Sequence, residues 1–326
     1  MTIAATATPA RADTPADETQ MFDVDPEIAR RLQELDPTRI SARDVAEVLA
    51  RVPAPRIILL QGSVPLINMD PFAGFLIAMG YPADRIRNPR DGRYSESSFI
   101  DSQQLAGMVA WYYESEGMRP VLIGHSQGGM LARLMATDSG DRFWNNVSHV
   151  PFSEVKGPPD AIAFVRDAMF FKPVPYVKRV VFIATPHRGS FRAVSIVPDL
   201  VRRIVTLPVS TVRNLSVLAA ENPELAAARD AVKDMPTAVE NMRPGNRFVR
   251  TYSASPIAPG VTANSIVAVL GEGPVSGKTD GVVAYESAHL DGVESEKVVR
   301  APHSCQGEPD TILEVRRILR EHVAAK

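Results

Sequence analysis

At 326 residues the chain holds one large domain or two small ones, and an apolar content of 45% is ample for a core. A net charge of −2, with acidic and basic residues interspersed, leaves no electrostatic footprint for nucleic acid or an anionic membrane, and no run approaches the ~18 apolar residues a membrane span requires. The single cysteine, Cys305, excludes an intrachain disulfide or a cysteine-based metal cluster and reads as a packed or loop thiol.

Residues 1–20 are rich in Ala, Thr, Pro and Asp and read as a disordered leader. A basic n-region and a strong h-region are missing, so a cytoplasmic location is favoured over export, which stays open. Residues 21–326 read as one domain. Within it, short apolar β-branched runs recur at Arg56–Leu60, Arg119–Ile123, Lys178–Ala184, Asn264–Leu270 and Lys297–Arg300. Such unbroken runs fit strands buried on both faces of a parallel sheet.

Helical patterns separate these runs. One opens at Asp70-Pro71, with Asp70 as expected N-cap, and stops at Gly80. A second spans Asp101 to Gly117, with Leu105, Met108, Val109 and Tyr112 on one face, and the last starts near Asp310 and carries Ile312, Leu313, Val315, Ile318 and Leu319. The alternation predicts an α/β fold with a doubly wound, mostly parallel sheet. Two stretches interrupt it. The segment at about 138–177 shows few helix periods, and that at about 188–250 is helical without returning a strand. Both are expected to form a cap or lid, with Phe170-Phe171 and apolar residues such as Val201, Ile204, Val205, Leu215, Val217 and Leu218 walling a pocket.

The most informative segment is Gly124-His125-Ser126-Gln127-Gly128-Gly129. It holds Gly-x-Ser-x-Gly between an apolar run (Val121, Leu122, Ile123) and a helical pattern (Met130, Leu131, Leu134, Met135). Strand, tight turn and helix are the context of a nucleophile elbow. Glycine is required at 124 and 128 because a Cβ there would strike neighbouring backbone. Ser126 is thus the candidate nucleophile, and it needs a general base that is itself oriented by an acid.

In folds built around such an elbow the acid follows a late strand and the histidine follows the last one. Of six histidines, His125 lies inside the elbow, His149 and His187 precede any plausible acid, and His289 lies between the last two strands. His322 sits in the terminal helix, which leaves His303 as the base. Asp280 is favoured as the acid because a fresh apolar run follows it, with Glu272 as rival and Glu286 and Asp291 further on. The oxyanion donors are expected to be the backbone N–H of Gln127 and that of Ser63 in Gln61-Gly62-Ser63-Val64, with Val64 as runner-up. Gly277-Lys278-Thr279 ends like a P-loop, but Glu272 stands at the first glycine position and no helix follows, so nucleotide binding is rejected.

Four segments in order resemble the α/β-hydrolase superfamily, and within it the bacterial serine esterases and lipases. They are the elbow, Ala184-Thr185-Pro186-His187-Arg188-Gly189-Ser190, Asp280-Gly281-Val282-Val283 followed by Ser287-Ala288-His289-Leu290, and Pro302-His303-Ser304. The resemblance covers roughly residues 50 to 325. It implies a serine hydrolase without cofactor or metal that cleaves carboxylic esters of a small-molecule or lipid substrate, with Ser126, Asp280 and His303 as triad. One departure is Gln61, where a histidine usually precedes the oxyanion glycine. An acyltransferase or thioesterase would use the same triad, and a non-catalytic receptor on this scaffold is disfavoured because all three residues are present in order.

Overall fold

The apolar runs line up as one parallel sheet. The computed structural model describes residues 24–36, 38–63, 68–98, 100, 102–190, 209–226, 245 and 247–324. Its strands are β1 (Ile57–Leu60), β2 (Ser95–Glu96), β3 (Val121–His125), β4 (Arg179–Ile183), β5 (Thr262–Val269) and β6 (Ser295–Arg300). They pair in the order β2-β1-β3-β4-β5-β6, every neighbouring pair parallel. β1, β3 and β4 are buried at every position, as continuous apolar runs require. The two-residue β2 is polar and lies at the sheet edge, so no apolar run announced it.

The helices are α1 (Pro26–Glu34), α2 (Ala42–Glu47), α3 (Asp70–Ala78), α4 (Ser102–Glu116), α5 (Gln127–Met135), α6 (Arg142–Asn145) and α7 (Pro159–Met169), followed by α8 (Val209–Glu221), α9 (Arg247–Ala254), α10 (Tyr285–Ala288) and α11 (Pro309–Ala324). Strand alternation sends neighbouring residues to opposite faces. Ile57 and Leu59 pack with Phe72 and Leu76 of α3 and Ile312, Val315 and Ile318 of α11. Ile58 and Leu60 pack with Leu105, Val109 and Tyr112 of α4 and Leu131 and Met135 of α5. The sheet is therefore covered on both faces, and the fold is α/β and doubly wound. No helix among the described residues is long and apolar enough to cross a membrane.

Two local expectations are corrected. Asp70 is the first helical residue of α3 and caps nothing, because Met69 holds the cap position without a side-chain hydrogen bond. The Asp70 carboxylate instead lies 3.0 Å from Ser95 Oγ on β2. The segment 138–177 is also more helical than its sequence suggested. α7 starts at Pro159, and Ala161, Val165 and Met169 fall on its buried face.

α7 and α8 pack together in a third apolar cluster. It joins Val165 and Met169 of α7 to Leu215 and Leu218 of α8, and also holds Phe143, Trp144, Tyr252 and Met130 of α5. Phe170 and Phe171 belong to it as well, tilted against Phe152 and edge-on to Phe143. The expected leader, Val64, and Val201, Ile204 and Val205 lie outside the described residues.

Candidate active site

β3 ends at His125, Ser126 makes the turn and α5 begins at Gln127. The turn leaves no room for side chains on its glycines. A Cβ on Gly124 would stand 2.4 Å from the Gly129 nitrogen, and one on Gly128 would stand 2.2 Å from the Leu60 carbonyl oxygen. A Cβ on Gly129 would meet Thr185 Oγ1 at 1.8 Å. Ser126 itself has φ 54° and ψ −123°, a left-handed backbone that L residues rarely adopt. Its N–H donates to the Ile183 carbonyl at 2.8 Å, which anchors the turn to β4.

Two distant segments converge behind this hydroxyl. His303, in the loop between β6 and α11, has its Nε2 2.9 Å from Ser126 Oγ. Its Nδ1 lies 2.7 Å from Asp280 Oδ2, in the loop after β5. The backbone N–H of His303 also donates to the Asp280 carbonyl at 3.0 Å. Asp280 Oδ1 accepts from the N–H groups of Val282 (2.8 Å) and Val283 (2.7 Å). With both oxygens engaged and the residue 2% exposed, Asp280 is fixed in one orientation. The Thr279–Ala284 bridge closes this loop, so the apolar run after Asp280 does anchor it, with Val283 buried beside Val267 and Val269 of β5.

The other acids weighed above lie elsewhere. Glu286 accepts from the Gly277 N–H, and Asp291 pairs with His289 and Arg188. Glu272 is exposed, and its backbone carbonyl receives Lys278 Nζ. None of the three touches His303 among the described contacts. Burial pushes the Cys305 thiol up to about 12, so it carries no thiolate at neutral pH.

Gln127 opens α5, so its N–H has no intrahelical acceptor and lies beside the nucleophile. Gly62 packs against the turn: a Cβ there would lie 3.2 Å from Ser126 Cβ. Ser63 follows it directly. Gln61 is braced to the edge strand, its N–H donating to the Glu96 carbonyl and its Oε1 lying 3.2 Å from Ser95 Oγ. That contact is the kind of support a histidine at this position would give.

Some supporting residues escaped the sequence reading. Arg133 of α5 is 2% exposed and has no carboxylate partner among the described residues. It donates to the carbonyls of Ser253 and Ser255, meets His187 Nδ1 at 3.3 Å and stacks over the Tyr252 ring. Ser253 Oγ in turn donates to the His187 carbonyl. The chain flanking the 188–250 insertion is thus tied at both ends to the helix that follows Ser126. A lone arginine inside Met130-Leu131-Ala132-Arg133-Leu134-Met135 was the available signal. At the His187 end, Ser287 Oγ also donates to the Gly189 carbonyl and Ser190 Oγ to the Val282 carbonyl, joining this loop to the segment of the acid.

Three histidines are buried and held neutral. Burial, then the neighbouring His303, pushes His125 down to about 4. Burial and Arg179 push His322 to about 3, and burial with Arg133 holds His187 well below the usual imidazole range. An unfolded chain would protonate all three near pH ~6.5. The unfolded state therefore binds more protons below that pH, and stability falls as pH drops from ~6.5 towards 4. His289, raised by its hydrogen bond to Glu296, opposes this as a single exposed group. The urea midpoint is expected to decline between pH 7 and 5, where carboxylates stay largely ionised. A flat midpoint over that interval would contradict the assignment.

No protein-family model matches the chain, and no curated protein is similar to it. Among solved structures, a Bacillus licheniformis lipase in mature form overlaps 82% of this chain and 93% of its own, at 17% identity and a TM-score of 0.40. A metagenomic carboxyl esterase overlaps 82% of this chain and 75% of its own, at 13% identity and a TM-score of 0.40. Lipase 1 from Pelosinus fermentans overlaps 83% of this chain and 98% of its own, at 11% identity and a TM-score of 0.42. Overlaps of this quality say nothing about substrate. The chain's own topology, with a serine at the β3–α5 turn of a parallel sheet, is the strand, tight turn and helix of a nucleophile elbow.

Proposed function

We propose that the protein is a serine hydrolase acting on carboxylic esters. The observation that carries this reading is the unbroken hydrogen-bond chain from Asp280 Oδ2 through His303 to Ser126 Oγ, at a turn whose serine has a positive φ. In this reading Ser126 Oγ attacks the ester carbonyl and His303 Nε2 takes its proton, then returns it to the leaving alcohol. Asp280 keeps the remaining proton on Nδ1 and stabilises the imidazolium that forms. The N–H groups of Gln127 and Ser63 receive the charge that develops on the carbonyl oxygen. Water then releases the acid by the same route in reverse. The balance is ester plus water to acid plus alcohol.

We also assign the two helical insertions to the roof of the acyl pocket. Ser126 is only 8% exposed, and the apolar cluster of α7 and α8 is seated on Met130, one turn beyond the nucleophile. A pocket walled by these residues favours longer acyl chains, each buried methylene contributing about 0.8 kcal/mol, roughly fourfold in kcat/KM, until the cavity is full. The test is hydrolysis of p-nitrophenyl esters across acyl chain lengths, beside an emulsified triglyceride. Turnover that rises through medium chains supports both assignments. Turnover with a flat profile removes the roof and leaves the hydrolase, whereas no ester hydrolysis at any length overturns the hydrolase itself.

A further inference from the structure

We infer that His125 is a positioning residue, which holds the backbone of the general base from the position next to the nucleophile. The inference rests on the reading of His303 as base. His125 is 2% exposed, and a buried imidazole needs an account of both its nitrogens. Its Nε2 lies 2.8 Å from the His303 carbonyl oxygen. A carbonyl only accepts, so Nε2 carries the proton and donates. Its Nδ1 is buried and has no hydrogen-bond partner among the described residues. A half-satisfied buried ring is costly in a core that an apolar side chain would fill.

The position explains why the ring is there. Besides its Nε2 contact with Ser126 Oγ, His303 is held at three points among the described residues: its N–H by the Asp280 carbonyl, its Nδ1 by the Asp280 carboxylate and its carbonyl by His125. The first two ties fix it to the acid loop. Of these three only the last reaches β3, and it does so from the residue bonded directly to Ser126. The two rings lie 5.0 Å apart, so His303 swings against His125 if its loop shifts. The other edge of the same ring packs on Gly62, where a Cβ would stand 3.3 Å from Nδ1. One side chain thus sets the spacing of base, nucleophile and the loop after β1. Burial keeps His125 neutral, so it adds no charge beside the imidazolium that forms on His303.

The test compares His125→Phe, which keeps the ring volume and removes the donor, with His125→Gln, whose side-chain amide reaches the same place. Three quantities are read: kcat, KM and the downfield NMR resonance of the proton between His303 Nδ1 and Asp280. His125→Phe is expected to lower kcat about 10- to 100-fold, as a misplacement of about 1 Å does, while KM stays unchanged. The downfield proton should shift or broaden in His125→Phe and return in His125→Gln together with most of kcat. A fully active His125→Phe with an unmoved proton overturns the inference. So does a His125→Gln as impaired as His125→Phe, because ring volume then explains the effect. Should His125→Phe not fold, the Gln variant and His125→Asn, too short to reach the carbonyl, give the same comparison. The resonance needs no turnover, so its response is separable from failure of the base assignment, which an active His303→Ala would reveal.

Discussion

Ser126→Ala should lower kcat on the order of 10⁶-fold. Among the described residues no second serine has a positive φ, and the single cysteine is a buried, protonated thiol. Without the hydroxyl, His303 has no proton to take and no acyl-enzyme forms. What remains is the contribution of binding and the backbone N–H donors, roughly 10³- to 10⁴-fold over water in a comparable triad. Alanine retains a Cβ and meets the same backbone constraint as serine, so the folded protein should melt where the wild type does. That separates lost chemistry from lost structure. A fluorophosphonate probe should label the wild type and leave Ser126→Ala untouched. Labelling that persists, or activity within tenfold of wild type, would sink the assignment.

Asp280→Asn should cost on the order of 10⁴-fold, and the surroundings of Asp280 explain why so conservative a change is so damaging. Oδ1 accepts from two backbone N–H groups, so an asparagine must place its carbonyl there. Its NH₂ then faces His303 Nδ1 and donates to it. The imidazole proton moves to Nε2, which faces Ser126 Oγ and can no longer accept. The fold loses no volume, and the base is in the wrong tautomer. His303→Ala should be nearly as damaging as Ser126→Ala, because among the described residues no other side chain is hydrogen-bonded to Ser126 Oγ to accept its proton. Glu272→Gln, Glu286→Gln and Asp291→Asn should each stay near wild type. A severe Glu272→Gln beside an active Asp280→Asn would move the acid to Glu272.

The central strands β3 and β4 were legible because each is buried on both faces and so is apolar along Val121–Ile123 and Val180–Ile183, whereas β6, which precedes His303, showed only through Val298 and Val299. The edge strand Ser95–Glu96 was not legible, since a half-buried polar pair carries no periodicity. α7 was missed although Pro158-Pro159 and the spacing of Ala161, Val165 and Met169 were in view, because the stretch from 138 to 177 as a whole shows few helix periods. Within the site, the positions of Ser126, Asp280 and His303 in the chain were readable from order and local context. The contacts of His125, Arg133 and Gln61 were not, because each joins segments far apart in sequence. His125 and the carbonyl it holds stand 178 positions apart, and sequence spacing carries no trace of that contact.

The left-handed backbone of Ser126 has a consequence for how this chain tolerates change. Holding a non-glycine residue at φ 54° costs on the order of 1–3 kcal/mol, and only glycine would relieve it. Folding and reactivity therefore select different residues at position 126. Any lineage freed from the reaction would gain stability by drifting to Gly-His-Gly-Gln-Gly, and a serine kept there records continued use. The remaining fold must hold enough stability in reserve to keep a strained residue at this turn.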